Sequence, residues 1–205
     1  MKPLKQIFTL IFILFLLNCS SVNPAMYNSP GRDKWQKPDL VIESLKIQKG
    51  SKIADLGAGG GYFTSRLAIA TGPEGVVYAI DIEQKNLDYI KDNLPDPEIK
   101  NIQFVKSEPD DSKLSEKVDL IFSCNSYHHF SNRVEFAKHL YTKLLPKGRI
   151  AIIDFKKDGL FRPGHFTDEN TIISEMKEAG FDLSDKVELK KQNFLIFSLK
   201  NIDRK

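Results

Sequence analysis

The sequence predicts an α/β fold: a seven-stranded, mostly parallel sheet with helices on both faces and an antiparallel hairpin at the C-terminal end. Three observations predict it. Short apolar runs alternate with longer stretches of helical period, the pattern of strand–helix–strand units. Val76–Ile80 is apolar throughout, as in a strand buried on both faces. The last two strand-like runs have no helix between them, so they can pair only antiparallel. A chain of 205 residues with 41% hydrophobic and 28% charged residues has the composition of one globular domain with a short appendage.

Each element can be justified in order. Pro38–Leu45 spaces Leu40, Val41 and Leu45 as a helix does, and Lys52–Leu56 is a strand running into Gly57-Ala58-Gly59-Gly60-Gly61. Tyr62–Ala70 reads as a helix with Phe63, Leu67 and Ala70 on one face, followed by the buried strand Val76–Ile80. Glu83–Leu94 is amphipathic and stops at Pro95, because proline cannot continue a helix. Ile102–Val105 and Val118–Cys124 are strands three and four. Arg133–Leu145 is a helix closed by Pro146-Lys147-Gly148, and Arg149–Phe155 is the fifth strand. Thr167–Ala179 opens with acids in its first turn and closes at Gly180. Phe181–Lys190 and Phe194–Leu199 form the hairpin about Lys191-Gln192-Asn193.

The first eighteen residues read differently. Lys2 and Lys5 precede an apolar stretch, Ile7–Leu17, interrupted only by Thr9, with Cys19 directly after Asn18. Eleven helical residues span roughly 16 Å, about half of a hydrocarbon core, so a signal peptide fits better than a membrane span. Cys19 at that place resembles the acylated cysteine of a bacterial lipoprotein, although Asn18 stands where most such signals have Ala, Gly or Ser. The expected division is a signal peptide over 1–18, a flexible tether over 19–31 and one domain over 32–205. The domain is then exported and lipid-anchored on the periplasmic side of a bacterial membrane, with the cytoplasmic face of the inner membrane as the alternative. A non-lipidated exported form, an uncleaved anchor and a stray cysteine are the other readings of Cys19.

Composition excludes several function classes. The formal net charge of +3 falls to +1 once Lys2 and Lys5 are set aside, and no basic run or aromatic ladder marks a nucleic-acid surface. Two cysteines, Cys19 and Cys124, cannot make a disulfide framework, and no short Cys/His spacing suggests a metal site. Cys124 reads as a small core residue. Nothing in the sequence bears on oligomeric state.

The chemistry concentrates at Asp55-Leu56-Gly57-Ala58-Gly59-Gly60-Gly61. Glycines at a strand-to-helix turn let the backbone bend sharply and approach a ligand, and the following helix offers free N–H groups. Alone, that motif is shared with nucleotide-binding oxidoreductases. Asp55 stands two residues before the first glycine, where dinucleotide-binding domains have an apolar residue. Asp81 ends the second strand, 24 residues after Gly57, placed to accept from a ribose diol.

These residues resemble the class I S-adenosylmethionine-dependent methyltransferases, in particular the ubiquinone/menaquinone biosynthesis methyltransferases and their small relatives. Asp55–Gly61 looks like their first motif, and Trp35–Pro38, Tyr127–His129 and Arg162–His165 are further shared segments. The resemblance covers roughly residues 35–200 and implies a Rossmann-like sheet, S-adenosyl-L-methionine as cofactor and a small-molecule methyl acceptor. It implies that Gly57, Gly59 and Gly61 admit the methionine portion of the cofactor, with Asp55 on its amino group. Asp81 would hold the ribose, Ile82 would pack on the adenine, and Glu108 or Asp110 would reach the adenine amino group. Ser123 and Asn125 would line the methyl side.

A protonated acceptor also needs a base. His128 and His129 follow the fourth strand and His165 follows the fifth, all at the sheet edge where ligands of open parallel sheets bind. Each is a candidate, and each can equally be a packed loop histidine. Arg162 is placed to attract an acidic substrate, while Asp154 reads as a turn cap. The leading expectation is thus a small-molecule methyltransferase. Its rival is an inactive membrane-tethered module, motivated by a cofactor made in the cytoplasm and a signal that exports the chain. A nicotinamide oxidoreductase comes third, because Asp55 and the terminal hairpin count against it.

Overall fold

The computed structural model of the chain describes residues 22–157 and 164–200. The expected signal peptide, Cys19 and Arg162 lie outside the described residues. Seven strands form one sheet: β1 (Lys52–Leu56), β2 (Val76–Asp81), β3 (Ile102–Lys106), β4 (Val118–Cys124), β5 (Leu144–Phe155), β6 (Phe181–Glu188) and β7 (Gln192–Leu199). Their order is β3-β2-β1-β4-β5-β7-β6. The first five run parallel, and β7 inserts antiparallel between β5 and β6. Strand order therefore reverses between β1 and β4, the topological switch point at which open α/β sheets bind ligands.

Period-two alternation in the strands sorts the core into two layers. Ile53, Val77, Leu120, Phe122, Ala151, Ile153, Phe194 and Ile196 face one side. There they meet Val41 and Leu45 of α2 (Pro38–Leu45) and Leu67 and Ala68 of α3 (Thr64–Thr71). Ala54, Ile80, Ile121, Ile150, Ile152, Leu195 and Phe197 face the other. These pack on Phe136 and Leu140 of α5 (Arg133–Thr142) and Ile172 and Met176 of α6 (Glu169–Glu178). A satellite cluster seats Leu87 and Ile90 of α4 (Gln84–Asp92) against Ala79 and Ala58.

Several boundaries differ from expectation, and two of them do so for a long-range reason. Helix α5 ends at Thr142 rather than Leu145, because Leu144 is drawn into the sheet opposite Val118 and buried. Pro146-Lys147-Gly148 then becomes an irregularity of β5 instead of a helix stop, with the register shifting between Val118 and Leu120. The turn expected at Lys191-Gln192-Asn193 is shorter, because Gln192 and Asn193 pair with Phe155 and Asp154 as the start of β7. Gln192 is buried there, accepting from Gln36 Nε2 at 2.6 Å and donating to Asn125 Oδ1 at 2.5 Å.

The end of the expected tether is also structured. Pro24–Asn28 forms a 3-10 turn and α1 (Arg32–Gln36) follows it. Asn28 Nδ2 donates to Gly60 O at 2.6 Å, and Lys85 donates to Val22 O at 3.1 Å. Among the described residues no helix is long and apolar enough to cross a membrane.

Candidate functional site

The C-terminal ends of β1, β2 and β4 frame a cavity of about 290 Å³, near the lower edge of the ~300–1,000 Å³ common for ligand pockets. Its floor is the turn after β1. Gly57 has φ +76°, and a Cβ there would collide with the Ser126 hydroxyl. Gly57 and Ala58 both donate to Ile80 O, at 2.8 and 3.0 Å, which ties the turn to β2. The same turn is gripped by Asp81: one carboxylate oxygen accepts from Gly59 N at 2.8 Å. The other accepts from Glu83 N at 2.9 Å and Asn86 Nδ2 at 3.0 Å.

Asp55 is the second carboxylate of the cavity and is 3% exposed. It accepts from the Thr64 hydroxyl at 2.6 Å. Burial pushes its carboxyl up to about 7, Asp81 adds to the rise, and Thr64 and Arg32 oppose it. Arg32 is a cavity residue that the sequence did not single out. Its guanidinium lies 3.8 Å from the Tyr62 ring centroid, donates to Gln36 Oε1 and Tyr27 O, and reaches Cys124 Sγ at 3.8 Å. Tyr27 covers Gly59 from the N-terminal turn, and burial together with Asp81 and Glu83 raises its phenol. Reading 19–31 as a tether hid Tyr27; Arg32 opens the expected domain, and the nearest signal for it was the neighbouring segment Trp35–Pro38.

The structure separates the expected site residues into two groups. Asp55, Gly57, Gly59, Asp81, Ile82, Glu108, Asn125 and His129 line the cavity. Ile82 sits at the rim, 54% exposed. Asn125 adopts φ +59° and donates its N–H to Ile153 O at 2.7 Å, so it turns the chain out of β4 while lining the site. Glu108, rather than Asp110, faces in; Asp110 is exposed and outside the lining. Gly61 also lies outside it. A Cβ there would come within 2.8 Å of Ile90, so this glycine serves the packing of α4. Ser123 points the other way, into a small apolar pocket beneath α5 beside Tyr127 and Met176. Cys124, expected as a core residue, packs on the core and also forms part of the cavity wall, where burial pushes its thiol up to about 12.

The histidines gather beside the cavity. His128, with a side chain 4% exposed, places Nδ1 2.7 Å from Oδ1 of the fully buried Asp154. Asp154 is therefore more than a turn cap: the same oxygen accepts from Phe155 N at 2.9 Å. His129 and His165 stand with ring centroids 5.8 Å apart, and 4.1 and 5.7 Å from His128. Burial and the two neighbouring imidazoles lower the His129 pKa, partly offset by Asp154. His128 and His165 are not cavity-lining residues. The expectation of no metal ligands rested on short spacings, whereas here two loops bring one ligand atom of each of the three histidines within 4.8 Å of the others.

The state of Asp55 makes stability of the unbound chain pH-dependent. An unfolded aspartate ionises near 3.9, whereas the folded Asp55 holds its proton to about 7. Its ionisation therefore opposes folding progressively from about pH 4 upward, and fully above about pH 7. Urea unfolding at about pH 5 and about pH 8 should show wild type losing stability relative to Asp55→Asn at the higher pH. Parallel behaviour of the two chains would contradict this electrostatic reading.

Comparison with known proteins agrees with the fold. The profile of the Methyltransferase domain family matches residues 47–195. The chain is 30% identical over 115 residues to an uncharacterized methyltransferase-like protein of Schizosaccharomyces pombe, covering 56% of this chain and 42% of that one. It is 24% identical over 127 residues to the ubiquinone/menaquinone biosynthesis C-methyltransferase UbiE of Ectopseudomonas mendocina, covering 61% and 49%. The chain thus spans less than half the length of these two relatives. A crystal structure of an S-adenosylmethionine-dependent methyltransferase from Aquifex aeolicus superposes with a TM-score of 0.77 at 26% identity, covering 87% of this chain and 99% of that one. The family match over residues 47–195, most of the chain, makes this protein a member of the methyltransferase domain family.

Proposed function

We propose that the chain is an S-adenosylmethionine-dependent methyltransferase acting on a small molecule. The observation that carries this reading is the cradle at the switch point: a glycine-rich turn with two buried carboxylates, Asp55 and Asp81, on either side of it. Such a cradle suits a cofactor with a cationic amino-acid end and a ribose diol. Asp55, held protonated when unpaired, gains a counter-charge from an ammonium group and can then ionise. Asp81 shapes the turn through Gly59 and keeps lone pairs for hydroxyl donors. Arg32 supplies positive charge for a carboxylate inside the same cavity.

The bound cofactor supplies an activated methyl group on a sulfonium, so the difficult chemistry is its own. What remains for the protein is positioning. Tyr27, Phe63 and Phe130 narrow the cavity and exclude water, and His129 stands at its wall within reach of an acceptor proton.

Calorimetric titration of the full chain with S-adenosylmethionine and S-adenosylhomocysteine tests the cofactor site. Micromolar binding is expected, weakened at least tenfold, about 1.4 kcal/mol, by Asp81→Ala and unaffected by NAD. A folded chain that binds neither compound would overturn the assignment.

We further propose that the chain is exported and lipid-anchored through Cys19, a reading supported by Lys2, Lys5 and the apolar run Ile7–Leu17 before that cysteine. Metabolic labelling with a fatty acid should mark wild type and spare Cys19→Ala. Equal labelling of the two would end this reading.

A further inference from the structure

We infer that His128, His129 and His165 form a binding site for one divalent transition metal of the zinc type, at the wall of the cofactor cavity. The three offer one ligand atom each, all within 4.8 Å of one another. A point equidistant from three atoms so spaced lies ~2.8 Å from each, against the ~2.1 Å of a zinc–imidazole bond, so closure by roughly 0.7 Å completes the set. His165 and His129 are exposed and can make that movement, while His128 is the fixed member.

Asp154 is the second, independent observation. A ligating histidine characteristically gives its other ring nitrogen to a carboxylate, which fixes the tautomer and turns the free nitrogen toward the metal. His128 Nδ1 is engaged in this way at 2.7 Å by Asp154, which is 0% exposed. The other oxygen of Asp154 is buried with no hydrogen-bond partner among the described residues, and His128 is its sole ion-pair partner there. With a backbone N–H and an imidazole as its hydrogen-bond partners, this buried carboxylate lacks a full counter-charge in contact, and a dication on the far nitrogen of that imidazole provides one.

Ligand chemistry narrows the metal. Three imidazoles favour zinc, cobalt or nickel over magnesium or calcium, which take oxygen ligands. Three protein ligands also leave a coordination position open. His129 belongs to both the trio and the cavity lining, so the metal site adjoins the cavity. An oxygen or nitrogen donor of a bound acceptor is the class of ligand it takes. The metal site stands without the methyltransferase reading; its use by an acceptor rests on that reading.

The test uses the full chain, stripped with a chelator and titrated with zinc(II) or cobalt(II). One equivalent of zinc should bind, with affinity falling about 10–100-fold in Asp154→Asn and further in His129→Ala. The exposed-loop variant His165→Ala, which leaves the core untouched, should lose affinity as well and weaken the visible bands of the cobalt form. Sodium azide should shift those bands if a position is open; a spectrum indifferent to azide would refute the open position. A folded chain that binds no zinc, or binds it equally well as His165→Ala, overturns the site. Titrating S-adenosylhomocysteine into the same metal-free sample separates the two proposals. A chain that takes zinc but not that ligand refutes the methyltransferase reading and leaves the metal site standing.

Discussion

The backbone N–H of Gly59 donates to Asp81 across 2.8 Å, and the geometry of the cavity depends on that bond. It joins the end of β2 to the turn after β1, across the point where the strand order reverses. The turn can lie close enough for this only because Gly57 has no side chain to meet Ser126, which arrives from the end of β4. Three strand ends thus meet around a stretch of bare backbone. A carboxylate in that position does two things: it fixes the loop, and it places negative charge beside a cavity that already holds Asp55. The raised pKa of Asp55 follows chiefly from burial, to which that crowding adds.

Charge in the cavity is balanced from outside the parallel sheet. Arg32 comes from α1, a short helix ahead of the first strand, and is held by the Tyr62 ring and the Gln36 amide. Gln36 in turn bonds Gln192, and Gln192 bonds Asn125, so a buried polar chain links the N-terminal segment, β7 and the exit of β4. Buried polar networks are costly when any member loses its partner. The three amides consequently tie the antiparallel end of the sheet to the site, although β7 contributes no cavity-lining residue.

Much of this was legible in the sequence, for local reasons. The five parallel strands show as short apolar runs. The glycine turn, Asp55 and Asp81 are near in sequence to the elements that place them. What the sequence hid was contact between distant segments. Pro24–Asn28 has the composition of a tether, and only its bond to Gly60 and the seat of Tyr27 on Gly59 show that it covers the site. Gln192 sits in a polar turn pattern yet is buried as a strand residue, because its pairing with Phe155 outweighs local preference. The family resemblance implies Ser123 at the cofactor; strand alternation sends its side chain to the opposite layer. The histidines were visible as candidates, but their convergence needs the loops after β4 and β5 side by side, which spacing along the chain does not reveal.

The most direct measurement is a crystal structure of the chain grown with excess S-adenosylhomocysteine. The geometry predicts the ligand in the cavity, its amino-acid end against the backbone of Gly57–Gly59 beside Asp55 and its diol on Asp81. Density for the ligand elsewhere, or a cavity without ligand density at saturating ligand, would contradict the assignment of that cradle as the cofactor site.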